Sequence, residues 1–122
     1  MPFDLGPADL TGWGGISLEA TQTTINVPVE RLDNLIDENT VIDVMKIDVE
    51  GADTWVIMGA EKLLLQKRVK VLYFEQNKTR LRQLGIGEND AAEYLSSVGY
   101  QAEAMSDVMQ DIVDWKAVPV GR

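Results

Sequence analysis

The apolar positions of the chain change their spacing several times, and each change marks an element. Between Ile42 and Val49 the residues Val44, Met45, Ile47 and Val49 crowd together, as in a strand covered on both faces within a parallel sheet. From Ala52 to Gln66 the spacing becomes helical. Ala52, Val56, Gly59, Ala60, Leu63 and Leu64 share one face, Asp53 sits in the first turn, and Lys67 with Arg68 closes the last, which suits the helix dipole. Val69 to Gln76 is a second apolar strand, and it ends in an acid, Glu75. Strand, crossover helix and strand make a right-handed parallel unit.

The flanks are less regular. Met1 to Gly15 holds Pro2, Gly6, Pro7, Gly12, Gly14 and Gly15 and reads as irregular. Gly12-Trp13-Gly14-Gly15 has neither the preceding strand nor the spacing of a nucleotide-binding loop. Ile16 and Leu18, then Ile25, Val27 and Val29, alternate with polar residues and predict two short strands in a loose hairpin. Glu30 to Asp37 predicts a short amphipathic helix with Leu32, Leu35 and Ile36 facing inward. Asn77 to Leu84 is a short helix closed by Gly85. Asp90 with Glu93 resembles a capping box that opens a helix with Ala91, Tyr94, Leu95 and Val98 on its buried stripe. Strands follow at Tyr100 to Ala104 and at Ile112 to Val118.

At 122 residues the chain fits one domain, with residues 16–122 as its folded body. A formal charge of -9 argues against a nucleic-acid partner, which calls for a basic surface. No apolar stretch reaches membrane-spanning length and no leader is legible at the N-terminus, so a cytoplasmic protein without a membrane partner is expected. The chain has no cysteine and no histidine. Disulfides, thiol nucleophiles and any Ser-His or Cys-His dyad are therefore excluded, and a general base must come from Asp, Glu, Lys or Tyr.

That narrows attention to the charges at the end of the central strand. Side chains alternate along a strand, so Lys46, Asp48 and, if the strand continues, Glu50 project to one face, about 7 Å apart pair by pair. Such groups at the end of an apolar strand carry a desolvation cost unless they pair, meet water or bind something. Ligands of open α/β sheets lie at the carboxyl ends of strands. Glu75, at the end of the neighbouring strand, would share that edge. A plainer reading has Lys46 and Asp48 neutralising each other, Glu50 and Asp53 favouring the helix start, and Glu75 meeting solvent.

Lys46-Ile47-Asp48-Val49-Glu50-Gly51-Ala52-Asp53, followed by Gly59-Ala60, resembles the K-I-D-x-E-G-A-E then G-A signature of FkbM-type methyltransferases. The stretches Gly14-Gly15-Ile16-Ser17-Leu18, Val29 to Leu35, Leu72-Tyr73-Phe74-Glu75 and Ser97-Val98-Gly99-Tyr100 are similar to further pieces of that family, in the same order. The resemblance runs from Gly14 to Pro119, with Asp53 where the family has Glu. It implies an α/β fold with a partial Rossmann-like sheet, mostly parallel with an antiparallel C-terminal strand and helices on its faces. It also implies S-adenosylmethionine as cofactor and a small-molecule methyl acceptor, methylated on a hydroxyl of a sugar, lipid or natural product.

The family's first half, with its acid-and-glycine loop for the cofactor, has no counterpart here, so the chain resembles the carboxyl-terminal half of such an enzyme. A central strand without its neighbour is an open edge. The expectation is that Ile16 to Val29 folds over it, or that a homo-oligomer or a chain supplying the missing N-terminal half covers it. The resemblance together with the shared strand edge points to Asp48 as proton acceptor or contact to the cofactor's ammonium. It points to Glu50 for substrate hydroxyls, Lys46 to orient Asp48, and Glu75 to line the pocket. No metal is required, although Asp48 and Glu50 could share a Mg²⁺. The rival expectation is a non-catalytic α/β interaction module that keeps the scaffold without the cofactor site.

Overall fold

A computed structural model describes residues 2–4, 15–16 and 24–121. In chain order the elements are β1 (Pro2–Asp4), β2 (Gly15–Ile16), β3 (Thr24–Asn26), α1 (Leu32–Leu35), β4 (Ile42–Lys46), α2 (Asp53–Met58), α3 (Glu61–Leu65), β5 (Val69–Asn77), α4 (Lys78–Leu84), α5 (Asp90–Ser97), β6 (Tyr100–Ala104) and β7 (Ile112–Pro119). The fold is mixed α/β. A four-stranded sheet runs β4-β5-β7-β6, and a small three-stranded sheet runs β2-β1-β3.

The parallel unit expected around Ile42 to Gln76 is present: β4 pairs with β5 in parallel, Val44 opposite Val71 and Lys46 opposite Tyr73. The rest of the sheet corrects the expectation of a mostly parallel arrangement. β5 pairs antiparallel with β7, and β7 pairs antiparallel with β6. The hairpin of β6 and β7 inserts its second strand beside β5, so β4–β5 is the one parallel pairing in this sheet.

The core lies on one face of the sheet. Leu72, Phe74 and Ala117 pack against Ile57, Leu63, Leu64, Leu95 and Val98 from the helices. Tyr100 closes the far end, its buried hydroxyl donating to the carbonyl of Val69. On the opposite face Tyr73 and Lys116 are half-buried and Lys46, Val44 and Val118 are exposed, so among the described residues the helices leave this face largely uncovered, against the expectation of helices on both faces. β4 departs furthest from its sequence pattern. Instead of being covered on both faces it is the edge strand; Val44 is 61% exposed, and Ile42 and Met45 are half-buried. Its apolar run predicts burial on both faces, but periodicity does not report whether a neighbour exists.

The single helix expected from Ala52 to Gln66 is two short helices with a break at Gly59–Ala60. The α1 segment supplies the competing bonds. Arg31 Nη2 donates to the carbonyl of Met58 at 3.2 Å, and the Asp33 N–H donates to that of Gly59 at 3.0 Å. The Asp33 carboxylate then accepts the N–H groups of Lys62 (2.9 Å) and Leu63 (3.1 Å). Asp33 therefore caps α3 from a distant part of the chain, satisfying donors that the start of a helix leaves unpaired. α1 itself is shorter than predicted, and Leu35 is 65% exposed while Leu32 and Ile36 pack on the core.

Two smaller readings also change. β2 and β3 do not pair with each other, because β1, a strand within the stretch Met1 to Gly15 expected to be irregular, lies between them. No capping box forms at α5: Asn89 is the N-cap without a side-chain bond, and the Asp90 carboxylate accepts the N–H of Gly87 at 2.9 Å.

Candidate functional site

The chain turns sharply after β4. The N–H of Ile47 still donates to the carbonyl of Tyr73 at 2.9 Å, and then the backbone leaves the ladder. Glu50 and Gly51 adopt positive φ in succession, 49° and 93°. At Gly51 a side chain is excluded twice over, since a Cβ would collide with the Arg80 side chain and crowd its backbone. Arg80 holds the turn against α4: its Nε donates to the carbonyl of Glu50 at 3.1 Å, while its own N–H is capped by Asn77 Oδ1 at 3.1 Å. The Glu-Gly pair of the sequence is thus the hinge that folds the strand end against a helix start.

Inside this turn lies Asp53, 3% exposed. Its Oδ1 accepts the N–H of Val49 at 3.1 Å and its Oδ2 accepts the N–H of Glu75 at 2.9 Å. Burial pushes its carboxyl up to about 6; the two backbone donors pull it back, and the charges of Asp48 and Glu50 push it further up. The bridge joins the ends of β4 and β5 just where their own ladder has stopped.

A hollow of about 340 Å³ opens at those two strand ends, lined by Lys46, Asp48, Tyr73, Glu75, Asp114 and Trp115, with Ile47, Phe74 and Met105 completing the wall. Register explains the grouping. Lys46 lies opposite Tyr73, and Glu75 lies opposite Asp114 on β7. Like charges directly across a sheet repel. Burial is the first cause that raises the Glu75 carboxyl above the ordinary range, and Asp48, Glu50, Asp53 and Asp114 add to it. Three carboxylates against one ammonium give the hollow a negative balance that favours a cationic guest. Its aromatic wall is held in place: Phe74 and Trp115 stack with ring centroids 6.2 Å apart, and Trp115 Nε1 donates to Gln76 Oε1 at 3.2 Å. Such a wall offers an apolar, electron-rich surface to a cation.

Lys46, Asp48 and Glu75, singled out in the sequence, therefore meet in one hollow. Glu50 does not line it; the residue forms the adjoining turn, and its charge bears on Asp53 and Glu75. Asp53 and Asp114 were not anticipated as site residues. Asp53 looked like an ordinary helix-start acid, and Asp114 is brought in only by the β5–β7 register. An acid inside the apolar strand from Ile112 to Val118 was the available signal. The Gly12-Trp13-Gly14 stretch lies outside the described residues. Among the described residues no three acidic, histidine or cysteine side chains are grouped to hold a metal ion, and no helix is long and apolar enough to cross a membrane.

Residues 5–102 match the family model described as the methyltransferase FkbM domain. No curated protein and no solved structure matches the chain.

Proposed function

The chain belongs to the methyltransferase FkbM domain family, and from that premise we propose that it serves S-adenosylmethionine-dependent methyl transfer to a hydroxyl oxygen of a small molecule, such as a sugar, a lipid or a natural product. The observation that carries this reading is the convergence of Asp48 and Glu75, from neighbouring strand ends, on one hollow. The residues present fit the cofactor's charge: a sulfonium and an ammonium find carboxylates and an aromatic wall. When bound, S-adenosylmethionine supplies an electrophilic methyl carbon. Asp48 would hold the ammonium, and Lys46, which lines the same hollow, would orient the carboxylate. Glu75 takes the hydroxyl proton of the acceptor, because burial raises its carboxyl toward the working pH, the direction a general base needs. Glu50 stays on the adjoining turn, outside the lining of the hollow, and acts on the site through its charge. What remains for the protein is alignment of the oxygen with the methyl carbon, which is worth several orders of magnitude in rate.

Isothermal titration of the folded chain with millimolar S-adenosylmethionine tests the reading. Binding that is lost in Asp48→Asn supports it. No heat at that concentration, with the fold intact by circular dichroism, removes the cofactor role and leaves the interaction-module reading in its place.

The open edge of β4 supports a partner as well. Among the described residues no strand pairs with its outer side, and Val41 and Val44 are 57% and 61% exposed. We propose that a second copy of the chain covers this edge, because an unpaired row of backbone groups flanked by apolar side chains is a template for strand addition. Multi-angle light scattering should give a dimer mass that falls to a monomer in Val44→Lys. A monomer mass for the unaltered chain would instead favour a different chain, one supplying the family's N-terminal half.

A further inference from the structure

The ladder between β4 and β5 ends with the bond from Ile47 N–H to the Tyr73 carbonyl, yet the two acids that face the hollow, Asp48 and Glu75, lie at or beyond that point. Their backbones continue to be tied by a side chain. Asp53 accepts the N–H of Val49, the residue after Asp48, and the N–H of Glu75 itself. We propose that Asp53 is a positioning residue of the hollow: its ionised carboxylate, by accepting both N–H groups at once, fixes the spacing of the two strand ends and so the spacing of Asp48 from Glu75 across a bound molecule.

The argument is one of acceptor count. An ionised carboxylate offers two full acceptor oxygens, and here each meets one backbone donor. A protonated carboxyl or an amide offers one carbonyl oxygen and a donor group where the second acceptor was. One backbone N–H then loses its partner in a site from which water is largely excluded, and that strand end is released. Among the described residues the charged groups around Asp53 come from the turn, β5, β7 and α4. Asp48 and Glu50 come from the turn and Glu75 from β5; Asp114 of β7 acts on Glu75; Arg80 of α4 is engaged with the Glu50 carbonyl. Burial and the neighbouring acids place the Asp53 titration at about 6, so mild acid reaches the same loosened state as an amide substitution.

This assignment rests on the cofactor reading only for its affinity measurement. In the full chain, nitrogen-15 NMR should show the amide signals of Val49 and Glu75 moving together with a midpoint near pH 6, and Asp53→Asn should abolish that shared transition. S-adenosylmethionine should bind roughly tenfold more weakly below the transition than above it, the loss expected for one charge-assisted bond. Asp53→Asn should already bind at the weakened level above the transition and keep only the pH dependence that Glu75, in the lining of the hollow, contributes, whereas a purely structural role would leave the folded variant with the affinity of the unaltered chain above the transition. If the variant fails to fold, the pH titration of Glu75→Gln, which removes the other raised carboxyl of the hollow and keeps the backbone N–H that Asp53 accepts, makes the same comparison. Amide signals of Val49 and Glu75 that ignore the Asp53 titration would overturn the assignment, as would unchanged affinity across it. Should the unaltered chain bind no S-adenosylmethionine at any pH, the cofactor reading fails. The amide titration then decides the positioning role alone.

Discussion

Asp53 Oδ2 accepts the backbone N–H of Glu75 at 2.9 Å across 22 positions of sequence. A helix-start carboxylate is thereby used as a strand-end clamp, and the clamp has a measurable thermodynamic signature. A carboxyl that rises from 3.8 to about 6 on folding carries roughly 3 kcal/mol of pH-linked stability. The folded state holds the proton more tightly than the unfolded one. The contribution is therefore fully present below pH 3.8 and is lost as pH rises through about 6. Glu75, also raised, works in the same direction. Urea unfolding at a series of pH values should show the unaltered chain losing stability relative to Asp53→Asn between about pH 4 and about pH 7. A constant difference between the two would contradict the buried ionised carboxylate. Site order and global stability run in opposite directions with pH here, a cost that perturbed groups at functional sites commonly carry.

Gly51 is fixed by its surroundings as well as by its φ of 93°. Gly51→Ala would have to displace Arg80 and strain its own backbone. The expected loss is about 2 kcal/mol or more, read as a lower denaturation midpoint. A midpoint unchanged within error would show that the turn does not dock on α4 as described.

Asp33 caps α3 through two backbone N–H groups and is part of the reason that α2 and α3 are separate. Asp33→Ala should cost about 1–2 kcal/mol, the range of a lost N-cap. Asp33→Asn should recover part of it through one remaining acceptor. Equal stability of the Ala variant and the unaltered chain would remove the cap from the account of the break at Gly59.

Glu75→Gln keeps the size of the side chain and the backbone N–H that Asp53 holds. If Glu75 takes the acceptor's proton, turnover should drop by about 10²–10⁴-fold. In the unaltered chain the rate should fall as pH drops through the raised Glu75 titration. The Gln variant should lose that acid limb. Undiminished turnover in Glu75→Gln would reassign the base to another group lining the hollow.

Tyr94 buries its hydroxyl oxygen with no hydrogen-bond partner among the described residues. Burial of an unsatisfied polar group is costly. Tyr94→Phe should therefore stabilise the fold slightly, by up to about 1 kcal/mol, read as a higher unfolding midpoint. A clear fall in stability would reveal a partner for the hydroxyl.

The sequence by itself settled what is encoded between near neighbours. The spacing from Ile42 to Gln76 announced a parallel strand–helix–strand unit, and β4 and β5 pair in that sense. Ala91, Leu95 and Val98 announced the buried stripe of α5. The absence of histidine and cysteine confined any proton chemistry to carboxylates, lysine and tyrosine; strand alternation put Lys46 and Asp48 on one face and the next strand's end put Glu75 at the same edge, while a role for them came only with the family resemblance. Tertiary structure decided the rest, because the deciding contacts join residues far apart in the chain. Whether Ile42 to Lys46 is a centre or an edge depends on a neighbouring strand, not on its own apolar pattern. Whether Ala52 to Gln66 is one helix or two depends on Arg31 and Asp33, which take up backbone groups at the break. Asp114 reaches the hollow through the register of β7 on β5, and Asp53 becomes a clamp only because the Glu75 N–H arrives beside it. Periodicity reports which face of an element turns inward; the hydrogen-bond partners waiting there are set by how the elements come together.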